Sequence, residues 1–329
     1  MKKQILATGF FLFSFMLPLK ASANQKIEQI YTFGDSLSDV GNVFNATSQV
    51  NNVGTPPPPY FNGRFSNGPV WVDYLAQRLK LQPVPYTISS GAFSSPDGIN
   101  YAFGGSSSGL NNAIYPTAPF PGMLAQVNLF TSSLTANQQQ ANPKSLYIVW
   151  AGANDYLSGN VTNPRQPVDN ISNAVTALAA AGAKNIMVLN LADMGKLPGT
   201  RSAPSSAQLT ALTNVHNLKL AGAIATLNRS LPSVNIIPVD VNTLIKTVVK
   251  FPGVFGFTNV TEACFKNNAV CATPNSYLFW DDVHPTTMAH RQVQILALFV
   301  LKSRTRDRFA TLPEDLLTVE VPSSAASNN

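Results

Sequence analysis

The sequence predicts an α/β protein built on a buried parallel sheet, and three observations predict it. Short apolar runs alternate with longer stretches of helical periodicity, the runs are apolar enough to be covered on both faces, and no linker divides the chain into parts. The strand candidates are "IYTF" (30–33), "INYAF" (99–103), "SLYIVWAG" (145–152), "NIMVLNLA" (185–192) and "VNIIPVDV" (234–241). Between them, and after the last, fall helix candidates at 69–80, 121–133, 167–182, 205–229 and 286–302. The fourth carries Leu209, Leu212, His216, Leu220 and Leu227 at helical spacing. A strand followed by a helix, repeated, argues for a parallel sheet layered between helices, here in one large domain over 24–310. A polar tail at 311–329 follows, ending "PSSAASNN".

The first 23 residues stand apart from that pattern. Lys2 and Lys3 precede an apolar stretch from Ile5 to Leu19, and Ala21-Ser22-Ala23 supplies a small-x-small ending, the layout of a secretory signal peptide. The apolar stretch is interrupted by Pro18 and falls short of the ~20 residues a membrane-spanning helix needs. The expected location is therefore secreted or periplasmic. Cleavage would remove three lysines and no acid, leaving 19 basic against 16 acidic residues, so the formal charge falls from +6 to +3. With no basic run and no basic-aromatic stripe, a nucleic-acid partner is not expected. Charged residues make up 12% of the chain, below the usual ~25%, which suits an exported protein solvated by uncharged polar groups.

The two cysteines, Cys264 and Cys271, lie seven apart. In an oxidising compartment an even count this close reads as one local disulfide, and the pair lacks the further ligands a zinc site needs. A core of this size does not need one staple, so its role is to shape a loop.

Chemistry in an open parallel sheet sits beyond the carboxyl ends of the strands. Ser36, in "IYTFGDSLSDVGN", follows the first strand candidate by three residues, and Gly34 lets the chain turn there. A helix opening after that turn would aim its backbone N–H groups at the serine oxygen. Asp35, Ser36 and Ser38 are also good helix N-caps, so this stretch alone leaves the catalytic and the structural readings open.

A serine hydroxyl needs a base, and a histidine base needs a carboxylate to hold its tautomer. "FWDDVHPTTMAH" places Asp281 three residues before His284, with Pro285 stiffening the loop. Of the other histidines, His216 lies in a helical pattern as a surface or packing residue, and His290 falls on a polar face early in the last helix. Asp281, Asp282 and His284 could be read as metal ligands, but no further His or Cys stands ready to complete a site.

Five ordered blocks, "FGDSLSDVGN", "GRFSNGPVWVDYLA", "GINYAFGGSSSG", "WAGANDY" and "FWDDVHPT", resemble those of the GDSL, or SGNH, hydrolases, most of all the bacterial secreted phospholipases A, lysophospholipases and glycerophospholipid:cholesterol acyltransferases. The resemblance spans residues 30 to about 300. It implies a flavodoxin-like α/β sandwich with five parallel strands, and no metal, nucleotide or flavin cofactor. It further implies Ser36 as nucleophile, His284 as base and Asp281 as its orienter. The oxyanion donors would be the backbone N–H groups of Ser36 and Gly105 and the side-chain amide of Asn154. Without the resemblance, Gly104 and Gly105 read as a tight loop and Asn154 and Asp155 as a strand-to-helix turn.

The implied substrates are phospholipids or lysophospholipids, met in peripheral contact with membrane lipid, with a sterol or lipid alcohol as a second acyl acceptor. An esterase acting on short-chain or sugar-linked esters is the alternative, and a non-catalytic binding module on the same scaffold is the third. The Pro-, Phe- and Tyr-rich stretches 51–68 and 110–122 either line an apolar acyl groove or pack over the sheet.

Overall fold

A computed structural model describes residues 26–89 and 95–305. The signal-peptide reading at 1–23, the tail at 311–329 and both edges of the 24–310 domain lie outside the described residues. The described chain forms the expected three layers. Strands β1 (Ile30–Gly34), β2 (Val84–Pro85), β3 (Ile99–Asn100), β4 (Leu146–Trp150), β5 (Asn185–Leu189) and β6 (Asn235–Val239) make one sheet in the order β2-β3-β1-β4-β5-β6, every pair parallel. The sheet thus has six strands where the sequence predicts five. The extra strand, β2, is two residues long, too short to show a periodicity.

Each central strand alternates its apolar side chains between two cores, as the two-residue repeat requires. Tyr31, Phe33, Tyr147, Val149, Ile186 and Val188 face α3 (Met123–Ala136), α5 (Arg165–Ala180) and α6 (Ser206–Ser230). Ile30, Leu146, Ile148, Trp150, Met187, Leu189, Ile237 and Val239 face α2 (Trp71–Leu79) and α8 (Thr287–Thr305). The five expected helices are all present, within three residues of their expected ends. Three further helices went unread: α1 (Asn42–Asn51), α4 (Ala153–Leu157) and α7 (Val241–Lys250).

The chain reverses direction across the sheet at β1, whose neighbours β3 and β4 are reached from opposite sides. That is the crevice where open α/β sheets hold ligands. Beyond β6, β7 (Asn259–Ala263) pairs in parallel with β10 (Tyr277–Phe279), and the small hairpin β8 (Phe265–Lys266) and β9 (Ala269–Val270) lies between them in sequence. Cys264 and Cys271 are disulfide-bonded across the base of that hairpin.

Candidate active site

Ser36 follows β1 just past Gly34, which stays in the strand without a positive φ and whose missing side chain admits a close approach by β4 rather than a turn. A Cβ there would lie 2.5 Å from the Trp150 carbonyl oxygen of β4. Gln126 of α3 pins the same residue twice, accepting from the Gly34 N–H at 2.8 Å and donating to its carbonyl at 2.8 Å. The segment after Ser36 is a compact turn in which Ser38 and Asp39 N–H groups bond to the Asp35 carbonyl, and α1 begins six residues on. The expected helix opening directly at the serine is therefore absent. The Ser36 N–H instead stands at the turn with no acceptor recorded for it among the described residues.

The base arrives from a turn 248 residues later, with His284 Nε2 2.9 Å from Ser36 Oγ and His284 Nδ1 2.7 Å from Asp281 Oδ2. Asp281 Oδ1 accepts from the Val283 and His284 N–H groups at 2.9 and 2.7 Å, which folds the carboxylate back under the imidazole. The turn is closed by Trp280 N–H donating to the His284 carbonyl at 2.7 Å. Burial by itself would push Asp281 up and His284 down. Their mutual attraction and hydrogen bond outweigh it, holding Asp281 down at about 2 and raising His284 above its ordinary value, with Asp35 adding to the rise. In this arrangement a neutral His284 carries its proton on Nδ1 and presents Nε2 to accept the serine proton.

The oxyanion assignments turn on which amides remain free. Gly104 N–H is spent on Asp39 Oδ2 at 2.8 Å, while no acceptor is recorded for Gly105 N–H. Gly105 has φ +78°, and a Cβ there would lie 2.6 Å from Asn112 Oδ1, so only glycine fits. Asn154, in the first turn of α4, donates one side-chain N–H to the Ser106 carbonyl at 3.0 Å and keeps the other for a ligand. Ser36, Gly105 and Asn154 follow β1, β3 and β4, the three strands that meet at the crevice.

Several residues that position this site carried no sequence signal of their role. Buried Asp39 accepts from Gly41, Asn42, Val43 and Gly104, capping α1 and fixing the Gly104-Gly105 loop with one carboxylate. Tyr60 donates to Asp281 Oδ2 at 2.7 Å, and its ring meets Phe265 and Trp280 edge-on. Phe65 lies 5.2 Å from the His284 ring, and Ser66 donates to the Pro285 carbonyl. Asp39 three residues before a helix start is the one signal that a capping search would find.

Neither stretch, 51–68 or 110–122, lines the cleft that opens on Ser36 and His284. The first holds the His284 turn and the second folds over the Gly104-Gly105 loop, with Asn112 donating to the Gly104 carbonyl at 2.8 Å. A cleft of about 370 Å³ opens on the opposite side of Ser36 and His284. It is lined mainly by Leu157, Leu191, Met194, Val241, Ile245 and Phe279.

His290 is fully buried rather than on a polar face, because α8 is covered by α2 on one side and the sheet on the other. His216 is a packing residue, its Nδ1 2.8 Å from Tyr156 OH. No group of three His, Cys, Asp or Glu side chains converges as a metal site among the described residues.

A sequence model of the GDSL-like lipase/acylhydrolase family matches residues 30–294. The chain is 24% identical to the phosphatidylcholine-sterol acyltransferase of Aeromonas hydrophila, over 86% of this chain and 93% of that one. It is 29% identical to a GDSL esterase/lipase of Arabidopsis thaliana, over 80% and 86% of the two chains. Among solved structures, a lipase/acylhydrolase from Enterococcus faecalis aligns at 13% identity and TM-score 0.42, covering 86% of this chain and all of that one.

Proposed function

The chain belongs to the GDSL-like lipase/acylhydrolase family of carboxylic ester hydrolases, and from that premise we propose that it is a serine lipid acyl hydrolase, a lysophospholipase or phospholipase A, which also passes acyl groups to a sterol or lipid alcohol. The observation that carries this reading is the apolar cleft of about 370 Å³ that opens on Ser36 and His284. An acyl chain buried there leaves its ester carbonyl at the nucleophile.

In the proposed reaction Ser36 Oγ attacks the ester carbonyl as His284 Nε2 takes its proton, with Asp281 stabilising the imidazolium. The N–H groups of Ser36 and Gly105 and the Asn154 amide hold the tetrahedral oxyanion. His284 then returns the proton to the departing alcohol, leaving an acyl-enzyme. Water resolves it by the reverse proton path, or a lipid alcohol held beside the acyl carbon does so with high effective molarity. The relative from Aeromonas hydrophila, named for transfer to a sterol, supports the second fate. Peripheral contact with lipid and action outside the cytoplasm, where a disulfide persists, belong to the same reading.

The test incubates purified protein with a phospholipid and a lysophospholipid, with and without a sterol, and identifies every product. A soluble short-chain ester and an acetylated sugar serve as further substrates. Released fatty acid and, with sterol present, a sterol ester are expected. Cleavage of the soluble or sugar esters alone would make it an esterase of small substrates, and no cleavage at all would leave a binding module.

A further inference from the structure

The cleft beside Ser36 is mainly apolar but carries three cations from two of its walls. Lys196 and Arg201 come from the segment after β5 and Lys246 from α7. On α7, Asn242, Ile245, Lys246 and Val249 all line the cleft, as residues three and four apart share a helix face. Neither lysine makes a hydrogen bond or a close ion pair among the described residues, although Lys246 attracts the Asp240 carboxylate at the start of its own helix. Arg201 spends Nη1 on the Thr261 carbonyl of β7 at 3.0 Å, leaving its remaining donors uncommitted.

These walls abut the His284 turn. Gly199, between Lys196 and Arg201, donates its N–H to the Asp282 carbonyl at 2.9 Å. Two carboxylates, Asp35 and Asp193, share the cleft lining with the three cations, and Asp240 stands near Lys246. Asp193 accepts from Gly195 N–H and Thr210 Oγ1, Asp35 lies buried at the serine turn, and Asp282 and Glu262 are exposed and do not line the cleft. An apolar slot that ends at an ester-cleaving serine, with three cations against two carboxylates in its lining, is complementary to an amphiphile bearing an anion close to its ester.

We propose that Lys196, Arg201 and Lys246 form a headgroup site for the phosphate of a lysophospholipid or phospholipid, selecting net-anionic headgroups over neutral ones. The proposal rests on the lipid acyl hydrolase reading above and adds to it the part of the substrate that is recognised. The arginine grips the phosphate oxygens and the two lysines neutralise its charge.

The experiment compares lysophosphatidylglycerol with a monoacylglycerol of the same acyl chain, each dilute in neutral-detergent micelles. The ratio of their kcat/KM values is the readout. Arg201→Gln is expected to lower that ratio about tenfold, chiefly through KM, and Lys196→Gln or Lys246→Gln several-fold. Raising the salt concentration should compress the wild-type ratio. Lys184→Gln, at the amino end of the sheet, is the control for overall charge.

A wild-type ratio near one, or a ratio that the cleft variants leave unmoved or that Lys184→Gln moves equally, would show the three cations to be merely solvated. Micelle binding by Ser36→Ala separates the two claims. Preferential binding of the anionic lipid without wild-type hydrolysis would keep the headgroup site and sink the hydrolase reading. Hydrolysis without any preference would do the reverse.

Discussion

The two sides of Ser36 are built on opposite principles. Toward β3, the chain is tied by buried polar groups: Asp39 holds four amides, Gln126 clamps Gly34, and Asn112 and Ser106 fasten the glycine loop. Toward β5 and β6, the wall is apolar side chains with Lys196 and Lys246 at the rim, neither of which makes a hydrogen bond or a close ion pair among the described residues. The first side fixes where charge develops, because preorganised donors cost no reorganisation during the reaction. The second side has room and adaptable surface, which suits a flexible acyl chain. Geometry and selectivity are therefore expected to fail separately when either side is changed.

The largest effect comes from the nucleophile itself, which both sides serve. Ser36→Ala should lower kcat by about 10⁴-fold or more while the protein keeps its melting temperature, and a fluorophosphonate should label the wild type at Ser36 alone. Labelling at another serine would overturn the assignment. On the polar side, Gly105→Ala forces a Cβ against Asn112 and displaces an oxyanion donor. Its expected loss is about 10²-fold in kcat on long and short esters alike, read from steady-state kinetics on both. A loss confined to long-chain esters would contradict the division of labour.

The converse test is on the apolar side. Ile245→Trp narrows the cleft and should depress turnover of a long-chain lipid about tenfold relative to a soluble short-chain ester. Equal losses would mean that the cleft does not take the acyl chain.

The smallest effect expected is also the most diagnostic of the polar side. The reaction needs His284 neutral, and its pKa is raised, so kcat/KM should fall as pH drops through a value above the ordinary 6.5. The sequence by itself suggests a limb near 6.5, and the buried Asp281 carboxylate moves it upward. Tyr60→Phe removes a donor that competes with His284 for Asp281 Oδ2. The carboxylate then favours the imidazolium more, so the acid limb should move to still higher pH with a few-fold loss in kcat. An unmoved pH profile would reduce Tyr60 to a packing residue.

What could be read from the sequence follows the same division. Ser36, Asp281 and His284 were legible because their chemistry is local: a glycine exit from a strand, and a carboxylate three residues before an imidazole. Tyr60 and Gln126 were not, because each acts on a partner far along the chain, 221 and 92 residues away, and Asp39 was legible only as a cap and not for its reach of 65 residues to Gly104. Composition pointed to the aromatic and proline-rich loops as cleft walls. The cleft beside Ser36 is lined instead by ordinary valines, leucines and isoleucines from α4, α7, β7, β10, α8 and the segment after β5. His290 was misjudged since periodicity shows which faces of a helix are apolar, and not that two neighbours enclose a polar one.

The 248 residues between Ser36 and His284 also have a consequence in time. The nucleophile follows the first strand to be made and its base follows the last, so a growing chain carries a serine that lacks its base. Long-range closure is the slow part of folding a parallel sheet. Catalytic competence therefore arrives with the last element to dock, and appearance of ester cleavage during refolding is a direct clock for closure of the whole domain.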